Sequence, residues 1–522
     1  MTEKRPAFKP YEQHQISLLP INLEELIGPT HMVRVIDRAI EKMDMAPLWS
    51  RYEGGGAPSY HPVMMLKVLV YAYADKIYSS RRIAKATREN IHFMWLTGNT
   101  ALDFMTINRF RSERLKGIIE EIFTEVVKLL LEEGYIKFEN YFLDGTKIEA
   151  NAGKYSWIWG KNTHRYMNQL REKVVAHLKE IEMIEETENA EYSKDDLPEM
   201  GNGEAINSEA IACFAEKINE RLSRNPNSRP LKKAKKAIEE DYLPRMEKYE
   251  NQLEILEERK SYSKTDTDAT FMRMKEDHMK NGHLKPGYNV QIGTEEQFIT
   301  GYSIHQKPGD TTTLKDHIGQ VKERMDGKVP QNIITDAGYG SEENYEFLEA
   351  ENITAYVKYN TFHKEASKKW KEDPTKVQNF NYDEGTDTYF CPMGRPLIFM
   401  HTLKKKSDTG YESLIRIYEC LNCAGCPHRD RCVKSEEPFA NRRLYINLRL
   451  NKLKEQARSL LTSETGLELR SKRPVEVESV FGNIKGNFGV RRFLLRGLEK
   501  VSIEWGLYSI AHNMRKLTAL MA

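Results

Sequence analysis

The chain has 522 residues, 39% of them hydrophobic and 30% charged, with a formal net charge of +2. That length exceeds what one hydrophobic core fills, so about two to four domains are expected. There is no apolar run of roughly 18 residues and residues 1–10 are polar, so the reading is no transmembrane helix, no secretory signal and a cytoplasmic location.

The charge is unevenly spread. Residues 441–522 hold 16 Lys and Arg against seven Asp and Glu, whereas residues 180–199 hold nine acids and one Lys. A basic C-terminal segment suits phosphates, although a solvated helix surface would look alike.

In chain order, residues 1–130 read as helical. Met64, Leu66, Val68, Leu69 and Tyr71 mark a buried helix, and Ser79–Ala84 the capped start of another. Thr106–Leu131 reads as a third helix bearing Arg109, Arg111, Arg114 and Lys116. Short helices with Arg-rich starts suit a helix-turn-helix that puts these arginines on DNA; a plain bundle is the alternative. Tyr135–Phe138 and Tyr141–Leu143 then read as strand, closing on Asp144 and Gly145.

Residues 161–260 read as a helical hairpin inserted into the fold. Leu170, Val174, Val175, Leu178 and Ile181 form one apolar stripe, and Tyr242, Met246, Tyr249, Leu253 and Leu256 the other, with a disordered acidic tip between them. Strand signals return at Tyr288–Ile292 and Phe298–Tyr302, joined through Gly293–Glu296. A helix follows over about 312–324, then a strand Asn332–Thr335 ending on Asp336, a helix from Ser341 and a strand Ala355–Val357. A Cys-rich region precedes a helical section from about Arg473.

The pattern is α/β, a mixed sheet flanked by helices. It divides into a helical DNA-binding part (1–130), a core in pieces (131–160, 261–360 and the C-terminal helices 465–522), the helical insertion (161–260) and a Cys-rich metal subdomain (361–464).

Asp144 and Asp336 read as ending two strands of one sheet, the edge where α/β proteins bind ligands. Paired carboxylates there can share Mg²⁺, which takes oxygen ligands; two ions about 4 Å apart would serve an in-line phosphoryl displacement. The third acid is read as Glu478. Lys485 lies seven residues on, on the same helical face, where it could hold a DNA phosphate. Glu476 is the fallback.

Cys420, Cys423, Cys426 and Cys432 lie within 13 residues, spaced as four thiolates of a structural Zn²⁺ site, with Cys391 able to replace one. An iron–sulfur cluster is the rival reading.

The segments Tyr141–Asn151, Pro286–Gln291, Ile334–Tyr339, Val477–Lys485, Phe493–Leu498 and Ala511–Asn513 carry a family likeness. Through them the chain resembles the DDE-type transposases of bacterial insertion sequences, in the branch with an N-terminal helical DNA-binding region and a Cys-rich segment before the last acid. The likeness runs from about residue 40 to 520.

The resemblance implies an RNase H-like core, with Asp144 on the first strand, Asp336 after the fourth and Glu478 on a late helix, binding Mg²⁺ or Mn²⁺. It implies cleavage at transposon terminal inverted repeats, leaving a 3′-OH that attacks target DNA. It also implies a homodimer on DNA and a place in the bacterial nucleoid. A transposase-derived DNA-binding protein that no longer cuts, or a metal-dependent nuclease, would carry the same residues. The family signature of Tyr, Arg, Glu and Lys, with two, three and six residues between them, fits only at Glu478 and Lys485. Its Arg position falls on Pro474, one residue from Arg473, and its Tyr position on Ser471. Asp266 and Asp268 also resemble a family motif, and stand as the fallback for Asp144.

Overall fold

The computed structural model describes residues 22–52, 58–188, 206–224, 226–274, 283–435, 437 and 439–521, with the side chains of 181–188 left aside. Most of the expected acidic tip, the Ile181 side chain and residues 1–10 lie outside the described set. The chain divides into two units, residues 1–133 with 505–522, and residues 134–504.

The first unit is helical: α1 (Leu23–Leu26), α2 (Met32–Lys42), α3 (Ala46–Trp49), α4 (Pro62–Ala74), α5 (Ser80–Glu89), α6 (Ile91–Leu96), α7 (Phe104–Arg109) and α8 (Ile119–Glu132). Helix α4 has almost no polar face and is buried along most of its length. Its Lys67 is tolerated because the ammonium pairs with Asp37 at 2.6 Å and Glu41 at 2.8 Å.

The long third helix expected over 106–131 is broken. Asp103 caps α7, a wide π turn follows over Phe110–Arg114, and Gly117 adopts φ +73° before α8. That break turns Arg111 inward. Its guanidinium donates to the Tyr78 carbonyl at 2.9 Å and to the Tyr73 hydroxyl at 3.2 Å, and the residue is buried. Arg111 therefore braces the helices from a buried position, whereas Arg109 and Arg114 are exposed.

The second unit is mixed α/β. Residues 135–138, expected as strand, form none. The backbone N–H groups of Lys137, Phe138, Glu139 and Asn140 instead wrap the Glu295 carboxylate, leaving no donors there for a ladder. Strand β1 (Asn140–Glu149) follows. A short ribbon of β2 (Trp157–Trp159) and β3 (Ser261–Ser263) closes the base of the insertion. Among the described residues the insertion carries four α-helices where a hairpin was expected: α9 (Gly160–Glu188), α10 (Ser208–Arg224), α11 (Arg229–Ala237) and α12 (Leu243–Leu256). Leu170, Val174, Leu178 and Met246 of the two stripes pack with Ile211, Phe214 and Ile218 of α10 in one apolar cluster.

After β4 (Thr270–Arg273) come β5 (Leu284–Glu295), β6 (Phe298–His305), α13 (Leu314–Arg324), β7 (Asn332–Thr335), α14 (Glu342–Ala350) and β8 (Thr354–Val357). The sheet order is β4–β5–β1–β7–β8, with β6 also on β5. Strands β1, β7 and β8 run parallel; β5 is antiparallel to β1, β4 and β6. The β5–β6 turn falls at Glu296 and Gln297, later than the expected Gly293–Glu296 link. Both residues have positive φ, 50° and 59°, as the tightest hairpins require. Tyr141 lies flat across β5 and β6: a Cβ on Gly293 would sit 1.7 Å from its ring.

Beyond α15 (Phe362–Glu365) and α16 (Lys368–Lys371), the Cys-rich region folds as a five-stranded antiparallel sheet. Its strands are β9 (Asn381–Asp383), β10 (Thr388–Phe390), β11 (Pro396–Lys406), β12 (Glu412–Cys420) and β13 (Arg443–Ile446), with α17 (Arg429–Cys432) before the last. The helical section starts at Leu448, earlier than the expected Arg473. It runs as α18 (Leu448–Thr462), α19 (Glu464–Arg473), a π turn (Pro474–Glu478), α20 (Ser479–Gly482), a second π turn (Asn483–Asn487) and α21 (Leu498–Met521). No helix among the described residues is long and apolar enough to cross a membrane.

Candidate active site

The parallel strands set the site by register. Phe142 pairs with Ile334, and Ile334 pairs with Tyr356. Side chains alternate along a strand, so two residues further on Asp144, Asp336 and Lys358 come level across three neighbouring strands. Asp336 follows the last residue of β7, as expected. Asp144 does not end its strand: β1 continues to Glu149 because its other edge is paired with β5 over Phe142–Glu149. The aspartate still projects where β7 stops, so the shared edge forms even though one strand outruns the other.

Arg473 gathers the acids. Its guanidinium lies 3.2 Å from Asp144 Oδ1, 4.0 Å from Asp336 Oδ2 and 3.0 Å from Glu478 Oε1. Asp144 and Arg473 are buried, whereas the side chains of Asp336 and Glu478 are 43% and 55% exposed, so the cluster opens to solvent on that side. Asp336 is held by its own turn, in which the Gly338 N–H donates to Oδ1 at 2.8 Å.

The π turn decides between the two glutamates. A π turn bonds residue i to i+5, one residue more than an α turn. Arg473 and Glu478, five apart, therefore stand one turn apart on the same side. This absorbs the single-residue offset that separated Arg473 from the family signature. Glu476 is turned the other way: it is buried and accepts the Gln297 N–H at 2.7 Å, clamping the β5–β6 turn. The structure brings Asp144, Asp336 and Glu478 together and leaves Glu476 out. Lys485 sits half-buried on the second π turn.

Asp266 and Asp268 are anchors. Asp266 is buried and accepts from the Tyr288 hydroxyl at 2.9 Å and the Gly497 N–H at 3.2 Å. Burial raises its pKa. Asp268 accepts the Leu498 N–H at 2.7 Å, capping the start of α21.

Two neighbours escaped the sequence reading. Lys358 follows β8, and its pKa is lowered by burial and then by Arg470 and Arg473. Asp310 accepts the side-chain amides of Asn289 at 2.8 Å and Gln291 at 3.0 Å through one oxygen. Gln291 in turn accepts from the buried Tyr339 hydroxyl. Burial and the negative charges of Asp310, Asp144 and Asp336 hold that phenol well above its usual range. Gly145 makes the approach possible, since a Cβ there would lie 2.1 Å from Gln291 Nε2 and 2.7 Å from Asp310 Oδ1. Asn289 and Gln291 alternate within the Pro286–Gln291 segment, a signal the sequence carries, whereas Asp310 and Lys358 give none without the strand register.

No three His, Cys, Asp or Glu side chains among the described residues are arranged as a metal site. For the carboxylates the donor chemistry nonetheless fits a hard divalent cation: three oxygen donors, partly open, already gathered around one positive charge.

The cysteines have a different setting. Cys420 and Cys423 are buried in the apolar core of the second sheet with Leu397, Tyr418, Leu444 and Ile446, and Cys391 packs against it. Burial pushes the Cys420 thiol up to about 12 and raises that of Cys432. Cys420 Sγ donates to the Asn422 carbonyl and Cys423 Sγ accepts the Arg442 N–H at 3.3 Å, while Cys423 and Cys391 lie near enough to Cys420, and Cys423, Cys426 and Cys391 near enough to Cys432, to raise those two thiols further.

Two family comparisons bear on the chain. Residues 390–518 match the family described as transposase DDE domain, and residues 21–113 match the family described as transposase domain (DUF772). No curated protein matches the chain.

Proposed function

From the premise that these two matches are those of a DDE-type insertion-sequence transposase, we propose that the chain cuts DNA at the ends of its element and joins them to target DNA, using an RNase H-like core. One observation carries the reading: Asp144, Asp336 and Glu478, drawn from two adjacent parallel strands and a distant π turn, converge on one guanidinium.

In this reading Asp144, Asp336 and Glu478 would hold Mg²⁺ or Mn²⁺. When bound, the metal supplies charge for activating the attacking oxygen and easing departure of the leaving one. The rest is done by the chain. The β1–β7 register fixes two of the carboxylates with rigid backbone, and the Gly338 turn limits the swing of Asp336. The amide pair Asn289 and Gln291 holds Asp310 and Tyr339 behind Asp144. Preorganised charge of this kind is the main catalytic resource in phosphoryl transfer. Arg109 and Arg114 in the helical unit, and Lys485 in the basic C-terminal segment, offer phosphate contacts. Two element ends must be paired, so the working form is a homodimer on DNA.

The test is a cleavage and strand-transfer assay on labelled DNA carrying the element's terminal repeats, with Mg²⁺ or Mn²⁺, comparing the wild type with Asp336→Asn. Nicking at the end and joined products, both lost in the variant, are the expected result. Nicks without joining would replace the reading with a nuclease. Specific binding by a folded wild type that never cuts would replace it with a non-catalytic DNA-binding protein.

A further inference from the structure

Lys358 comes level with Asp144 and Asp336 at the parallel edge, on the far side of Asp336 from Asp144. Its backbone is fixed there by the loop after β7. Gly340 lies so close that a Cβ would stand 2.4 Å from the Lys358 carbonyl oxygen and 2.9 Å from Tyr359 Cα. The side chain is half-buried, yet among the described residues its ammonium makes no hydrogen bond and no ion pair.

The surrounding charges are accounted for. Asp336 and Glu478 are near enough to favour the charged lysine, but both are turned to Arg473. Arg470, the other nearby cation, is engaged with the Leu461 carbonyl at 2.9 Å and stacks on Phe362 at 4.9 Å. Lys358 is thus a partly desolvated cation pressed by two guanidiniums and lacking an anion of its own, a costly arrangement unless an anion arrives. A compact ammonium on a flexible stem suits a phosphate oxygen. Beside three carboxylates that repel a phosphodiester, a cation on their flank offsets that repulsion.

We propose that Lys358 seats a phosphodiester of the DNA strand that reaches the Asp144, Asp336 and Glu478 cluster. The proposal rests on the transposase reading above and names the residue that would receive the substrate backbone.

The experiment measures binding of full-length protein to end DNA in EDTA, so that no cutting occurs. A neutral methylphosphonate is placed in turn at each phosphate around the end. Wild type, Lys358→Gln and Lys358→Arg are compared after melting curves establish that each is folded. At one position the methylphosphonate should cost the wild type on the order of tenfold more than it costs Lys358→Gln. Lys358→Arg should follow the wild type. The slope of log affinity against log salt should fall by about 0.9 in Lys358→Gln. If wild type and Lys358→Gln respond alike at every position while both bind the end specifically, the lysine proposal is overturned and the transposase reading stands. A folded wild type with no preference for its own ends overturns both.

Discussion

Two groups of side chains in this molecule invite a metal from sequence alone, and the fold treats them oppositely. The carboxylates are delivered to an open strand edge and are balanced by one guanidinium, with Asp336 and Glu478 in partial contact with water. Cys420 and Cys423 are folded into the core of an antiparallel sheet, where burial raises the Cys420 thiol. Close spacing in sequence does not say whether ligands end up at an edge or inside. An edge leaves charge available for work, whereas a core suppresses it. The sharpest way to break this comparison is Asp336→Asn. Cleavage and joining should both fall by at least about 10²–10³-fold, the scale of losing one preorganised electrostatic group. Melting should barely change, because the side chain is 43% exposed. Equal activity in the variant would remove the edge cluster from the chemistry.

Arg473→Gln tests what holds the edge cluster before metal arrives. It removes the shared counter-charge from buried Asp144 and should destabilise the metal-free protein by about 3–5 kcal/mol in urea unfolding. Millimolar Mg²⁺ should restore part of that loss in the variant. If Mg²⁺ restores nothing, the three acids are not a shared cation site.

Burial also governs the imidazoles behind β1, as it governs the thiols. The Tyr141 hydroxyl meets His317 at 2.8 Å, and Ser303 bridges His317 and His305 at 2.7 Å each. Burial, opposed by Asp316 and Asp310 and reinforced by Lys307, lowers His305 to about 4; burial also lowers His317, with His305 and Arg324 adding to it. Both are neutral when folded and take up protons more readily when unfolded. Stability is therefore full above the unfolded value of about 6.5 and is lost as pH falls toward about 4, by up to about 3 kcal/mol for His305. A flat urea midpoint between those pH values would contradict this.

Much of the sheet was readable because its signals are local. The apolar run Asn332–Thr335, the Ser341 cap and the strand composition of β5 and β6 each depend on a few neighbouring residues. What failed depends on partners distant in sequence. Residues 135–138 have strand composition, but the Glu295 carboxylate takes their N–H groups. Arg111 reads as a surface cation until the break at Gly117 turns it inward. Strand β11 is mostly exposed, so no hydrophobic alternation marked it. Glu478 was chosen over Glu476 through the in-phase Lys485, but the alignment of Arg473 with it needed the π turn, and finding Lys358 needed the β7–β8 register. Spacing rules assume one helical period, and no residue in Pro474–Glu478 announces the wider turn.

The last way to sharpen the comparison is through the thiols. If Cys420 is a core side chain, its replacement should follow polarity and volume. Cys420→Ser puts a stronger hydrogen-bonding group into an apolar cluster where its Sγ meets only the Asn422 carbonyl at 3.5 Å and the weakly bonding Cys423 thiol, and should cost about 1–3 kcal/mol. Cys420→Ala loses little volume and should cost less. A metal ligand would reverse this logic: serine and alanine would be equally damaging, since neither supplies a thiolate, and a strong chelator would lower the wild-type melting temperature. The core reading requires that EDTA or a zinc-specific chelator leave that temperature unchanged, and that Cys420→Ala be milder than Cys420→Ser. If the two variants are equally damaging and the chelator destabilises the wild type, the thiols bind a metal and the two clusters are alike after all.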